Sequence, residues 1–267
     1  YELGYKGEIT ELSVDSRGNL WIGSYTAGLT RLSNGTFTTY TTKNGLPDNE
    51  VNDIVKDKKG NLRVVTKTGI IEIDEQAEFH VCIDQQELLT TCFYKVETRE
   101  LWVGTGDKYL FRLKNGKKKD FGKDAGLSRW VINCLYEDRM ENLWIGMDGG
   151  GLARMTDGKI STFHPDDKLA SAHVYSIYED REGSLWVGTF DCGLFQLRDN
   201  KFSTFTVKED MAADRIHHVI EARDGSLLIG TDGGLNRLSI GELTTVLTTE
   251  KGLLHNSVYS LCEDRGG

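Results

Sequence analysis

Proline is nearly missing, with 2 residues in 267, and no stretch approaches the roughly 20 apolar residues that a membrane-spanning helix needs. No direct membrane insertion by this chain is expected. Positive charge is in deficit too: 41 acidic residues stand against 32 basic ones along the whole sequence, for a net charge of -9. With no face built to neutralise a phosphate backbone, nucleic acid is not an expected partner. Five cysteines (82, 92, 134, 192 and 262) form no C-x-x-C pair, and an odd number cannot all be bridged within one chain. They read mainly as small buried hydrophobes, with an oxidised Cys82–Cys92 link as the alternative. Enzyme signatures are lacking: there is no G-x-S-x-G, no H-E-x-x-H, no phosphate loop and no dinucleotide fingerprint.

What the chain does have is 30 glycines and a repeat. The run Asn19-Leu20-Trp21-Ile22-Gly23 returns at Leu101-Trp102-Val103-Gly104, Asn142-Leu143-Trp144-Ile145-Gly146 and Leu185-Trp186-Val187-Gly188. Degenerate copies at Leu62-Arg63-Val64-Val65 and Leu227-Leu228-Ile229-Gly230 place the anchor at 21, 63, 102, 144, 186 and 228, a period of about 42. Each unit reads as four strands. The first is an apolar-polar run (51–56, 131–137, 174–179), followed by an Asp-x-x-Gly turn whose Asp bonds its own backbone and whose Gly takes the left-handed position. The second is the Trp run, the third is typified by Leu29-Thr30-Arg31-Leu32, and the fourth by Phe37-Thr38-Thr39-Tyr40. One such sheet cannot bury both faces, but several packed around an axis can. The fold class is therefore all-β: a β-propeller of four-stranded antiparallel blades, with six full repeats plus the first strand of a seventh at 256–263, read as a single domain over 1–267. The chain is expected to be a fragment of a longer sensor.

The anchor tryptophans are read as core. The Asp-x-x-Gly turns are not read as metal sites, because one carboxylate per turn lacks the convergent oxygens that calcium requires, and no metal or cofactor is assigned. Alternating strand direction puts the loops between second and third strands, and those from the fourth strand to the next first strand, on one face. That face is the first place to look for binding groups. It carries Arg129, Trp130, His173, Arg215, His217, Tyr25, Tyr109, Asp148, Phe190, Asp191 and Asp232, of which Trp130, Arg129, His173, His217, Tyr25, Tyr109, Phe190 and Asp191 are taken as ligand-binding candidates. Trp130 is the only tryptophan outside the anchor column. A second column, ten residues before each anchor, holds Glu11, Asp53, Cys92, Cys134, Ser176, His218 and Ser260, candidates for lining the central channel.

The pattern S-I-x-E-D-x-x-G-x-L-W-I-G-T-x-x-G-G-L-x-R-L, clearest from Tyr175 to Leu197 and from Glu137 to Met155, resembles the two-component regulator propeller repeat. It departs at Arg63, Leu228 and Val65, and in the third unit, which lacks the Asp-x-x-Gly turn. The resemblance implies the periplasmic or otherwise extracytoplasmic sensor of a bacterial signalling receptor, whose parent carries a histidine kinase or other output, with a sugar or oligosaccharide as cue. Two other readings stand beside it. One is a protein-interaction scaffold, including a homodimer, without a small ligand. The other is a polysaccharide-acting lyase or hydrolase using His173, His217 and His218.

Overall fold

The computed structural model describes residues 8–56, 62–74, 78–84, 90–96, 100–106, 110–114, 117–121, 127–163, 167–170, 172–199, 201–239 and 241–263. Six antiparallel four-stranded sheets follow one another, at 9–40, 51–84, 90–120, 132–163, 174–205 and 216–247, and in each the strands lie side by side in chain order. These are blades 1 to 6 of a propeller, with the first strand of each packed against the first strand of the next. Blades 2, 3 and 6, whose motifs are degenerate, form the same sheet as the others.

The repeat residues explain why the blades stack. Trp21, Trp102, Trp144 and Trp186 are 1–5% exposed, and each lies in the hydrophobic cluster formed with the following blade. Trp186, for example, joins Met211, Ile216, Val219, Leu227 and Ile229 of the segment and blade that follow. The Asp of the turn does more than cap its own backbone. Asp180 accepts the Ser184 N–H through one oxygen (2.8 Å) and the Trp186 indole N–H through the other (2.8 Å). Asp15 holds Trp21 in the same way at 2.9 Å, and Asp138 holds Trp144 at 2.8 Å. Burial works to raise the Asp15 carboxyl, but the donors from Trp21, Asn19 and Arg17 outweigh it and hold the group below its ordinary range.

Where the tryptophan is replaced, its partner on the third strand changes with it. Arg31, Arg112 and Arg154 lie over the Trp21, Trp102 and Trp144 rings at 5.5–5.7 Å. In blade 2 the anchor is Arg63, which pairs instead with Glu72 at 2.9 Å. In blade 6 it is Leu228, and Arg237 turns to Asp224. On the face opposite the loops that carry the candidate site, a ladder joins successive blades. Arg139 N–H donates to Glu179 (2.9 Å) and its guanidinium to the Arg181 carbonyl (3.0 Å), and Arg181 repeats this with Glu221 (2.9 Å) and Arg223 (3.0 Å). Arg223 N–H then reaches Glu263 at 3.2 Å.

That last contact places 256–263 between blades 6 and 1. Val258 N–H donates to the Thr231 carbonyl (2.9 Å), Leu261 N–H to His218 Nδ1 (2.9 Å), and the Ser260 hydroxyl to Glu11 Oε1 (3.0 Å), while Leu12 N–H donates to Ser260 Oγ (3.1 Å). The segment occupies the inner-strand position expected for a seventh unit. It is not a strand among the described residues, however, because no second strand pairs with it. The neighbouring face of blade 6 is correspondingly less covered: Leu235 is half-buried, whereas its counterparts Leu29, Leu110, Leu152 and Leu194 are fully buried. The cysteine expectation needs one correction. Cys134 and Cys192 pack against the blade 4–5 core, but Cys82 is exposed, because it sits on the outer strand of blade 2.

Candidate functional site

Each first strand carries one residue too many for its partner strand. The register slips between Val174 and Ser176, between Ile216 and His218, and at the matching places in blades 1, 2 and 4. A bulge of this kind re-aims the extra side chain. In blades 1 and 4 the extra residues Thr10 and Asn133 are spent on the next blade, donating to the Val51 and Val174 carbonyls. In blades 5 and 6 they are Tyr175 and His217, and both turn toward the loop face.

The loops meet there as expected. Asp148 N–H donates to the Val131 carbonyl (2.9 Å), Phe190 to His173 (2.9 Å) and Asp232 to Arg215 (3.3 Å), so each loop after a second strand is tied to the segment entering its own blade. Their side chains form a continuous arc over blades 4 to 6. His173 Nδ1 lies 2.5 Å from Asp148 Oδ1, joining blade 5 to blade 4. Phe190 is next, with ring centroids 6.2 Å from His173 and 5.7 Å from Tyr175. The Arg215 guanidinium of the next blade lies 3.6 Å over the Phe190 ring and 2.8 Å from Asp232. Asp232 also takes His217 Nε2 at 2.7 Å, and the His217 ring lies tilted against Tyr259 with centroids 4.6 Å apart. Burial works to raise the Asp232 carboxyl, but His217, Arg215 and Ser257 hold it low. At the other end Trp130 lies flat on Gly149 and Gly150, where a Cβ on Gly150 would sit 2.5 Å from the indole. Trp130 therefore packs as well as presents a surface, being 38% exposed. Tyr175, Phe190 and Tyr259 are 41%, 37% and 51% exposed, so the arc leaves aromatic surface to water along its length.

The candidates from sequence are thus partly gathered. Trp130, His173, Phe190 and His217 share the arc. Arg129 is exposed beside Trp130, and Asp191 is exposed beside Phe190, where it also lines a cleft of about 430 Å³ with Cys192, Val207 and Asp214 on the outer rim of blade 5. Tyr25 stands apart on blade 1, near the Lys67–Glu50 ion pair, and Tyr109 lies outside the described residues. Tyr175 and Tyr259 were not anticipated. The signal was the column 133, 175, 217, 259, which reads Asn, Tyr, His, Tyr.

The second column turns toward the anchor glycines. Glu11, Cys134, Ser176 and His218 pair with Gly23, Gly146, Gly188 and Gly230, and Asp53, half-buried, with Val65. A Cβ on Gly146 would lie 2.4 Å from Cys134 Sγ, and one on Gly188 2.3 Å from Ser176 Oγ, so the Gly of the anchor run makes room for this column. The side chain of Cys92 lies outside the described residues. Burial pushes the Cys134 thiol up, an environment for an inert thiol. Glu11 and His218 meet across Ser260, whose hydroxyl is 3.0 Å from one and 3.3 Å from the other. Burial raises Glu11 to about 7, against the pull of its Ser260 and Leu12 hydrogen bonds, and lowers His218 to about 4.

These shifts have opposite signs for stability. Folded Glu11 keeps a proton that the unfolded chain loses from its ordinary 4.5 upward, so its contribution fades as pH climbs from 4.5 through 7. Folded His218 refuses a proton that the unfolded chain binds below 6.5, so its contribution fades as pH falls from 6.5 through 4. Glu11→Gln is therefore expected to gain stability relative to wild type between pH 4.5 and 7.5, on the order of 1–3 kcal/mol in urea unfolding. A difference that stays flat across that range would contradict the buried, protonated Glu11.

Residues 168–191 match the profile of the family described as two component regulator propeller. No curated protein matches the chain. Among solved structures, the extracellular domain of what is described as a hybrid two component system, BT3049 from B. thetaiotaomicron, is similar at a TM-score of 0.78 and 21% identity, over 97% of this chain and 38% of that chain. The present chain thus spans well under half of that protein's length. Streptogramin B lyase is similar at a TM-score of 0.76 and 12% identity, over 97% of this chain and 88% of that chain. For virginiamycin B lyase from Staphylococcus aureus the values are 0.72, 15%, 90% and 84%. At these identities the likenesses carry the fold, a ring of four-stranded blades, and not a shared ligand.

Proposed function

We propose that this propeller is the ligand-sensing region of a bacterial two-component signalling receptor, held outside the cytoplasm, and that it binds an oligosaccharide on the arc from Trp130 to Tyr259. The observation that carries the reading is the arc itself. Four partly exposed aromatic rings, Trp130 at the entry to blade 4, Tyr175 and Phe190 of blade 5, and Tyr259 of the segment 256–263, lie on one face among groups able to bond sugar hydroxyls. The family match at 168–191 covers the centre of this arc, His173, Tyr175 and Phe190, and the likeness to an extracellular sensor domain supports the setting.

A thermal-shift screen against an oligosaccharide panel tests it. At a ligand excess of 100 times Kd, mass action stabilises the folded protein by about 2.7 kcal/mol, a rise of roughly 5 °C or more in Tm. Phe190→Ala is expected to abolish that rise. No shift with any saccharide, in protein shown to be folded, would refute the sugar reading. The carboxylate-held His173 and the likeness to streptogramin B lyase favour a second reading, elimination chemistry on a polysaccharide fragment. It predicts product on chromatography, whereas a sensor returns the saccharide unchanged.

A further inference from the structure

We infer that the ligand of the arc is an electrically neutral saccharide, and that sugars bearing carboxylate or sulfate groups are excluded. The inference rests on the sugar reading above and adds the charge class of the ligand. It follows from how the charges of the arc are already committed.

Recognition of an acidic sugar requires a cation whose charge is not answered within the protein. The arginine at the centre of the arc is Arg215, and it is answered twice. Its Nη1 is 2.8 Å from Asp232, and its guanidinium plane lies 3.6 Å over the face of Phe190. Both imidazoles are committed as well: His173 to Asp148 at 2.5 Å, and His217 to Asp232 at 2.7 Å. A ligand carboxylate reaching the outer N–H groups of Arg215 would share the guanidinium with Asp232, which His217 and the Ser257 hydroxyl hold in place beside it. Two carboxylates on one guanidinium leave a net negative charge, and the repulsion between them opposes binding.

Among the described residues, the charge left exposed around Tyr175 and Phe190 is otherwise of the wrong sign for an anion. Asp148 is 41% exposed at its side chain, and Asp191 is exposed next to Phe190. Around them the chain as a whole carries -9. An anionic sugar laid across Tyr175 and Phe190 would meet these carboxylates at close range, and like charges facing each other across an interface discriminate strongly against the wrong partner. Arg129 is exposed beside Trp130, at the far end of the arc from Arg215.

What the arc offers a neutral sugar is complementary. Tyr175, Phe190 and Tyr259 present ring surface for the C–H faces of a pyranose, and the exposed oxygens of Asp148 and Asp191 are acceptors for its hydroxyls. Sugar hydroxyls are donors to a carboxylate, so the acidic groups that repel an anion bind a neutral ring.

The experiment compares matched probes that differ in charge: oligogalacturonate hexamers, their fully methyl-esterified forms, and neutral xylo-, gluco- and manno-oligosaccharides, titrated calorimetrically into the wild-type protein at 50 and 500 mM salt. At least one neutral probe is expected to bind, with its Kd moving less than twofold between the two salts, and Tyr175→Ala is expected to weaken it tenfold or more. Asp148→Asn, which keeps the shape of the side chain, is expected to admit the acidic probe. Binding of acidic oligosaccharides alone, weakened by salt, would overturn the charge assignment while leaving a sugar sensor in place. Binding of no saccharide of either class would overturn both.

Discussion

Gly151→Ala is expected to destabilise the protein by about 3–5 kcal/mol, enough to lower Tm by roughly 10 °C in a chain of this size. Gly151 opens the third strand of blade 4 with φ of 67°, where an L side chain is strained, and its N–H donates to the Ala172 carbonyl at 3.0 Å. Its conformation is the smaller part of the effect. A Cβ there would lie 2.1 Å from the Leu169 carbonyl oxygen and 3.0 Å from that of Ala170, so backbone must move, and that backbone leads straight into His173. Gly158 supplies the control. Its φ is 75°, but nothing lies within 4 Å of the added carbon, so Gly158→Ala is expected to cost about 1–2 kcal/mol of strain alone. Scanning calorimetry on the two variants separates the contributions, and equal losses would contradict the close approach.

Trp186→Ala carries the second large effect, about 3–5 kcal/mol, because it empties the blade 5–6 cluster of its largest side chain. More informative is the carboxylate beneath it. Trp186→Leu fills much of the space but leaves Asp180 Oδ2 without its indole donor in a buried setting, which adds about 1–3 kcal/mol. Blade 6 shows how the chain itself resolves this. Leu228 stands at the anchor and Ala222 where the Asp would be, so donor and acceptor are lost together, and Asp224 takes over the turn by accepting from Ser226 at 2.9 Å. A double-mutant cycle of Trp186→Leu with Asp180→Ala, followed by urea unfolding, is expected to show a coupling of at least about 1 kcal/mol. Strict additivity would mean that the carboxylate and the indole do not act as a unit.

The period and the anchor run were enough to give the blades, their strand order and the burial of four tryptophans, because a repeat states the same packing problem six times. The ladder of Arg139, Arg181 and Arg223 onto the glutamates 40 residues further on was not legible. It depends on which side of a turn faces the neighbouring blade, a fact of the ring and not of the strand. The site divides in the same way. Trp130, His173, Phe190 and His217 could be assigned to one face by strand alternation. Tyr175 was missed because the bulge at Val174 breaks that alternation and turns an inner-strand residue outward. Tyr25 met every sequence criterion that Phe190 did, yet sits on blade 1, and the contacts of the arc run from blade 4 to 256–263 without it. Pairing of charges was the other thing hidden: Arg215 and Asp232 are 17 residues apart in sequence and 2.8 Å apart in space.

Trp130 offers the most direct test of where ligand binds, since it is 38% exposed while the other four tryptophans are 1–5% exposed and shielded from solvent quenchers. Acrylamide quenching of the intrinsic fluorescence, followed through a titration with the neutral oligosaccharide that binds best in calorimetry, reads the arc alone. The account predicts that saccharide protects the quenchable component with the same Kd as calorimetry, and that Trp130→Phe removes that component. Calorimetric binding that leaves the quenching of Trp130 unchanged would place the ligand elsewhere on the propeller and contradict the account.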